Sequence, residues 1–131
     1  MAQIPESHRD ILEKRSFAHV ATVNKEGKPQ VSPVWVEYDG NYILLNSAKG
    51  RKKDRNITEN PEKIAISIQD PDNPYRYVGI QGHVEEMTEQ GAFEHINKLS
   101  RKYNGTDYPP LKPGETRVIY KIVPDRVAVI G

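Results

Sequence analysis

Phe17-Ala18-His19-Val20-Ala21-Thr22-Val23, then Asn24-Lys25-Glu26-Gly27-Lys28, then Pro29-Gln30-Val31-Ser32-Pro33-Val34-Trp35-Val36-Glu37-Tyr38 run consecutively near the N-terminus. Two runs rich in β-branched and aromatic residues flank a polar turn in which Gly27 can supply a positive φ, the pattern of a β-hairpin. Asp39-Gly40 is a second turn signal, and Tyr42-Ile43-Leu44-Leu45-Asn46 after it reads as a third strand paired with the second. The expectation at this point is an antiparallel meander.

On the N-terminal side, Ser7 is placed to cap a short helix running to about Lys14, with Asp10 in its first turn and Ile11 and Leu12 facing the core. On the C-terminal side, Arg51 to Asn60 holds one large apolar residue, Ile57, and stops at Asn60-Pro61, which predicts a short exposed helix. Ile64 to Ile68 resumes a strand. Asp70-Pro71-Asp72-Asn73-Pro74 is a loop, and Tyr75 to Met87 is a long strand in which Gly79 and Gly82 predict a bulge or bend. Ala92, Ile96, Leu99 and Tyr103 recur at helical spacing, so Thr88 to about Lys102 reads as an amphipathic helix with Thr88 as N-cap. Arg117 to Ile130 supplies the last strands, with a corner at Pro124-Asp125. The chain is therefore expected to be mainly β with inserted helices: about six antiparallel strands forming a closed or partly closed barrel.

At 131 residues the chain fits one domain spanning positions 1–131. Nineteen Lys+Arg against 18 Asp+Glu leave a formal charge of +1, so neither nucleic acid nor a membrane surface is an expected partner. The absence of cysteine removes disulfides, thiolate metal sites and a cysteine nucleophile. Met1-Ala2-Gln3-Ile4-Pro5-Glu6 lacks a basic segment followed by an apolar one, and a cytoplasmic protein is expected.

The chemistry-bearing segment is Asn46-Ser47-Ala48-Lys49-Gly50-Arg51-Lys52-Lys53-Asp54-Arg55-Asn56, which leaves a strand, turns and enters a helix. Free amides at a helix start, the Ser47 hydroxyl and several cations would converge on one phosphate. Arg51 and Arg55 stand one helical turn apart and are expected on one face, with Lys52 directed elsewhere. The same run also reads as a solvated basic helix. His8, His19, His83 and His95 form no metal-ligand pair, so no metal is expected, and no serine or carboxylate constellation for catalysis is readable. Trp35, Tyr75 and Tyr77 read equally as packed residues or as pocket lining.

The order of Thr22 to Pro29 with its glycine turn, Arg51-Lys52-Lys53-Asp54-Arg55-Asn56-Ile57, and Asn60-Pro61 resembles the pyridoxamine 5′-phosphate oxidase-like superfamily of split β-barrels, and within it the short deazaflavin (coenzyme F420)-dependent reductases. The resemblance implies an FMN-binding split-barrel fold and a homodimer with each cofactor in a groove at the subunit interface. It implies an oxidoreductase that uses reduced F420 to deliver a hydride to a small unsaturated or quinone-like acceptor, with FMN as the alternative cofactor and a non-catalytic flavin or deazaflavin carrier as the alternative role. By position it assigns the cofactor phosphate to Arg51, Lys52 and Lys53 with Asn46 and Ser47 nearby, and the ring system to Ser32, Val34 and Trp35. It places Tyr75 and Tyr77 at the pocket rim, from the partner subunit. The stretch Val127 to Gly131 lacks the Arg/His substrate segment of the true oxidases, so their activity is not expected.

Overall fold

The computed structural model describes residues 2–131. A 3-10 turn at Glu6–His8 leads into α1 (Arg9–Glu13), followed by β1 (Ala18–Val23), β2 (Pro29–Val34), β3 (Glu37–Tyr38), β4 (Ile43–Ala48), α2 (Lys52–Glu59), β5 (Ile64–Asp70), β6 (Asn73–Thr88), α3 (Ala92–Asn104) and β7 (Arg117–Ile130). All seven strands belong to one antiparallel sheet in the order β2-β1-β5-β6-β7-β4-β3. Its two edge strands, β2 and β3, are consecutive in the chain, so the short link Trp35–Val36 carries the backbone from one edge to the other. The result is a split β-barrel. Alternating residues of β5 (Ile64, Ile66, Ile68) meet Val20, Val78, Ile80, Leu45, Tyr120 and Ile122 in its interior, because period-2 side chains of every strand share that face.

The edge-to-edge link is held by α3. The Val36 N–H donates to the Tyr103 hydroxyl at 3.1 Å, which donates to the Ser16 carbonyl at 2.5 Å. Lys102 Nζ donates to the carbonyls of Val36 (2.9 Å) and Leu12 (2.6 Å), and burial pulls its ammonium down to about 8.

Several expectations are corrected. The predicted second strand breaks at Trp35–Val36, so only Glu37 and Tyr38 pair with β4, whose main partner is β7. That break makes seven strands of the expected six or so. Ser7 does not cap α1: its hydroxyl is within 2.8 Å of His8 Nδ1, and the chain makes a 3-10 turn first. Thr88 ends β6 instead of starting α3. Its Oγ1 accepts the Gln90 N–H at 3.1 Å, and the helix begins after Gly91. Residues 117–130 form one strand, in which the pairing jumps from Gln81↔Arg126 to Gly82↔Pro124 and leaves Asp125 as a bulge. Gly82 is required there, since a Cβ would collide with the Val123 carbonyl oxygen. Gly27 has the positive φ (+86°) that its hairpin turn needs. Among the described residues no helix is long and apolar enough to cross a membrane.

Candidate functional site

The basic segment is shaped by its two inward polar residues. Asp54 is buried, accepting the Gly50 N–H on one carboxylate oxygen (2.9 Å) and the Tyr120 hydroxyl on the other (2.6 Å). Asn56, also buried, donates to Thr22 Oγ1 at 3.1 Å, and Ile57 enters the core. Together they fix the start of α2 against β1 and β7. The cations at positions 51, 52 and 55 are left exposed and Lys53 is half-buried.

Arg51 and Lys53 face a cleft of about 230 Å³ between the β4–α2 junction, the end of β2, α3 and the start of β7. Its walls are Phe17, Pro33, Val34, Trp35, Ile96, Leu99 and Tyr108; its polar end is Asn46, Ser47, Arg51, Lys53 and Arg117. Arg55 is not there. Arg51 has extended backbone (φ −67°, ψ 162°) and precedes the helix, so the one-turn spacing does not put residues 51 and 55 on a common face. Lys52 and Arg55 line a separate groove of about 600 Å³ with Asn24, Lys49 and Thr58.

The polar end of the cleft has the electrostatics of an anion seat. Arg117, a buried guanidinium, donates from Nε to Asn46 Oδ1 (2.9 Å) and from Nη1 to Glu115 Oε2 (3.1 Å), and lies 5.3 Å from the centre of the Tyr108 ring. Burial pulls the Lys53 ammonium down to about 8, with Arg51 and Arg117 adding repulsion. Among the described residues neither Arg51 nor Lys53 has an ion-pair partner. The Ser47 hydroxyl has no hydrogen-bond partner, but it is buried on the other face of β4, with Leu45 and Tyr120 in the barrel interior, and only the edge of the residue reaches the cleft. Crowded cations are costly without a ligand, and a phosphate answers them. The residues present thus fit a phosphate-bearing cofactor.

Of the positions singled out in the sequence, the structure brings Val34, Trp35, Asn46, Ser47, Arg51 and Lys53 to this cleft. Trp35 is both packed and lining: it stacks on Tyr103 (5.3 Å between centroids, 14°) and meets Tyr108 edge-on (6.3 Å). Asn46 is fully engaged in binding Arg117, the Ala92 carbonyl and His95. Ser32 shares the Val34 face of β2 without lining the cleft, and Lys52 lies in the neighbouring groove. Tyr75 (83% exposed) and Tyr77 (38%) stand on the first half of β6, outside this cleft. Sequence reasoning did not find Arg117, Tyr108, Ile96 or Leu99 as site residues. The one available signal was Arg117 heading the apolar run Val118-Ile119-Tyr120, where a cation needs a special partner.

The family model described as pyridoxamine 5′-phosphate oxidase matches residues 4–131. A solved structure named F420 reductase is 35% identical, with 95% of this chain and 98% of that one covered and a TM-score of 0.85. General Stress Protein 26 of Bacillus anthracis (20% identical, 95% and 92% covered, TM-score 0.72) and HutZ, the heme storage protein of Vibrio cholerae (14%, 99% and 96%, 0.71), share the fold. No curated protein matches. From residue 4 onward, in sequence and in three dimensions, the chain belongs to the pyridoxamine 5′-phosphate oxidase family of split β-barrels.

Proposed function

We propose that the chain is an oxidoreductase that uses reduced coenzyme F420 to transfer a hydride to a small unsaturated or quinone-like acceptor. The observation that carries this reading is the cleft whose polar end gathers Arg51, Lys53 and Arg117, in a chain 35% identical over nearly its full length to a protein named F420 reductase. Arg51, Lys53 and Arg117 hold the cofactor phosphate, and Asn46 aims Arg117 at it. Val34 and Trp35 flank the ring, while Ile96 and Leu99 help to keep water from that wall. Lys49 and Lys52, in the adjoining groove, offer a cationic track to an anionic tail, with Lys49 shared with Glu89 at 2.8 Å. When bound, the reduced deazaflavin supplies the hydride, so the protein's part is to position donor and acceptor, and no acid/base residue is assigned.

The functional unit in this reading is a homodimer. The outer sheet face supports it: the cross-strand rows Val31–Ala21–Ala65–Gln81–Arg126 and Pro33–His19–Ser67–Gly79–Ala128 present mostly small or apolar side chains, bordered by the exposed Tyr77 and Ile130. Such a flat face fits a second copy of itself, and Tyr75 and Tyr77 would then reach the partner's cleft.

Parallel absorbance and fluorescence titrations with F420 and FMN test the reading. F420 is expected to bind the more tightly, and Arg51→Ala with Lys53→Ala to weaken it by roughly a hundredfold, the worth of two charge-assisted contacts. Unchanged affinity in the double variant refutes the site. Binding of FMN alone transfers the same cleft to a flavin. Tight F420 binding without oxidation of F420H2 by any quinone or enone offered would make the chain a carrier.

A further inference from the structure

A row of buried polar groups leads away from the cleft past Asn46, and its far end, His95 and Glu37, has no part in the reading above. Arg117 on β7 donates from Nε to Asn46 Oδ1 on β4 (2.9 Å). The Asn46 amide nitrogen lies 2.9 Å from the Ala92 carbonyl and 3.1 Å from His95 Nδ1 on α3. His95 Nε2 is 3.2 Å from Glu37 Oε1 on β3, and Glu37 pairs through its other oxygen with Lys98. Asn46, His95 and Arg117 are each less than 9% exposed.

Donor and acceptor accounting fixes every proton in this row. Arginine only donates, so Asn46 must turn its oxygen to Arg117 and its NH2 to Ala92 and His95. A donating NH2 requires a bare lone pair on His95 Nδ1. The imidazole proton then sits on Nε2 and points at the Glu37 carboxylate, the tautomer that carboxylate favours. A second proton, on Nδ1, would meet the Asn46 NH2 head-on. Turning the amide over removes that clash, but it sets NH2 against the Arg117 Nε–H and oxygen against the Ala92 carbonyl. The row therefore holds Arg117 in only one protonation state of His95.

We propose that His95 is a positioning residue of the anion seat: through Asn46 it aims the Arg117 guanidinium into the cleft, and it releases that hold when its Nδ1 is protonated. The inference rests on the reading of the cleft as an anion site. The charged and titratable groups facing the row are Glu37 and Lys98 on the His95 side, Glu115 on Arg117, and Arg51 and Lys53 across the cleft. Glu37, held at about 2 by its hydrogen bond to His95 and by Lys98, stays ionised wherever imidazole titrates. Once Nε is free, Glu115 is the remaining carboxylate anchor of Arg117 and competes with a cleft anion for it.

Sulfate is a suitable probe because its charge is constant between pH 5.5 and 8. Its dissociation constant is read by NMR from the Arg117 Nε–H signal and from protection against thermal unfolding. Arg51→Ala with Lys53→Ala serves as the reference for general salt effects. In wild type the dissociation constant is expected to rise roughly tenfold from pH 8 to 5.5, the worth of one charge-assisted hydrogen bond. In His95→Gln, which keeps a donor toward Glu37 but cannot titrate, it should change by less than about twofold. The same steep pH dependence in His95→Gln, or none in wild type, overturns the proposal. The ligand-free wild type gives a second reading that needs no variant to fold. Relative to the base-catalysed exchange of a free guanidinium at the same pH, its Arg117 Nε–H rate should be strongly suppressed at pH 8 and far less so at pH 5.5, and an unchanged relative rate also overturns the relay. If that rate responds to pH while sulfate binds at neither pH, the relay stands and the anion-site reading falls.

Discussion

Lys53→Met should make the protein more stable and a worse binder. Burial, with Arg51 and Arg117 close by, takes the Lys53 ammonium from its ordinary 10.5 to about 8. At about 1.4 kcal/mol per tenfold in proton affinity, that displacement corresponds to about 3 kcal/mol. The side chain is only half-buried, so solvent screening reduces the cost of carrying its charge to about 1 kcal/mol. The sign follows from linkage: the folded chain holds this proton less tightly than the unfolded chain, so stability lost to the charge is fully lost below pH 8 and recovered as pH rises from 8 toward 10.5. Methionine keeps the length of the side chain without the charge. In thermal melts Lys53→Met should gain about 4 °C in Tm at pH 7 for a chain of this size, and the gain should shrink at pH 10.5. In a fluorescence titration the variant should bind F420 at least tenfold more weakly, because the ligand phosphate is the counter-charge that Lys53 lacks. Wild type should also take up part of a proton on binding near pH 8.5, seen as a buffer-dependent heat in calorimetry. A Tm that falls at pH 7, or rises equally at both pH values, would refute this account of the cleft.

Ser47→Ala removes the unpartnered buried hydroxyl, so the ligand-free protein should be unchanged or up to about 1 kcal/mol more stable in urea. Gly82→Ala drives a methyl group onto the Val123 carbonyl and should cost about 2 kcal/mol, read as a lower urea midpoint at unchanged m-value. Glu37, held at about 2 by His95 first and then by Lys98, contributes stability that is complete above pH 4.5 and lost as pH falls toward 2. Glu37→Gln should flatten that limb of the stability profile by about 1 kcal/mol after screening, and a variant that keeps the full slope would place the acid sensitivity elsewhere.

Much of the architecture is legible in local chemistry. Alternation in Ile64–Ile68, the Gly27 turn, the helical spacing of Ala92, Ile96, Leu99 and Tyr103, and the bend at Pro124-Asp125 all reappear in three dimensions. The largest error, the strand break, has a non-local cause. Whether Pro29 to Tyr38 is one strand or two depends on Tyr103 and Lys102 seizing Val36 from α3, and no residue within the segment announces it. The site divides the same way. Asn46, Ser47, Arg51 and Lys53 sit together in the chain and were readable as a group. Arg117 and Tyr108 reach the cleft only because β7 pairs with β4, placing Arg117 opposite Ala48. The Arg51/Arg55 pairing failed because Asp54 draws the Gly50 amide to itself and starts the helix after residue 51.

The late arrival of Arg117 has a consequence for biogenesis. The cleft draws on β2, the β4–α2 junction, α3 and β7, and its buried guanidinium belongs to the strand synthesised last of these. A nascent chain still short of residue 117 has Arg51 and Lys53 but neither the third cation nor the neighbour strand that orders Asn46. On the proposed reading of the cleft, cofactor capture would wait until the sheet is whole, and truncated translation products lacking β7 would not bind it.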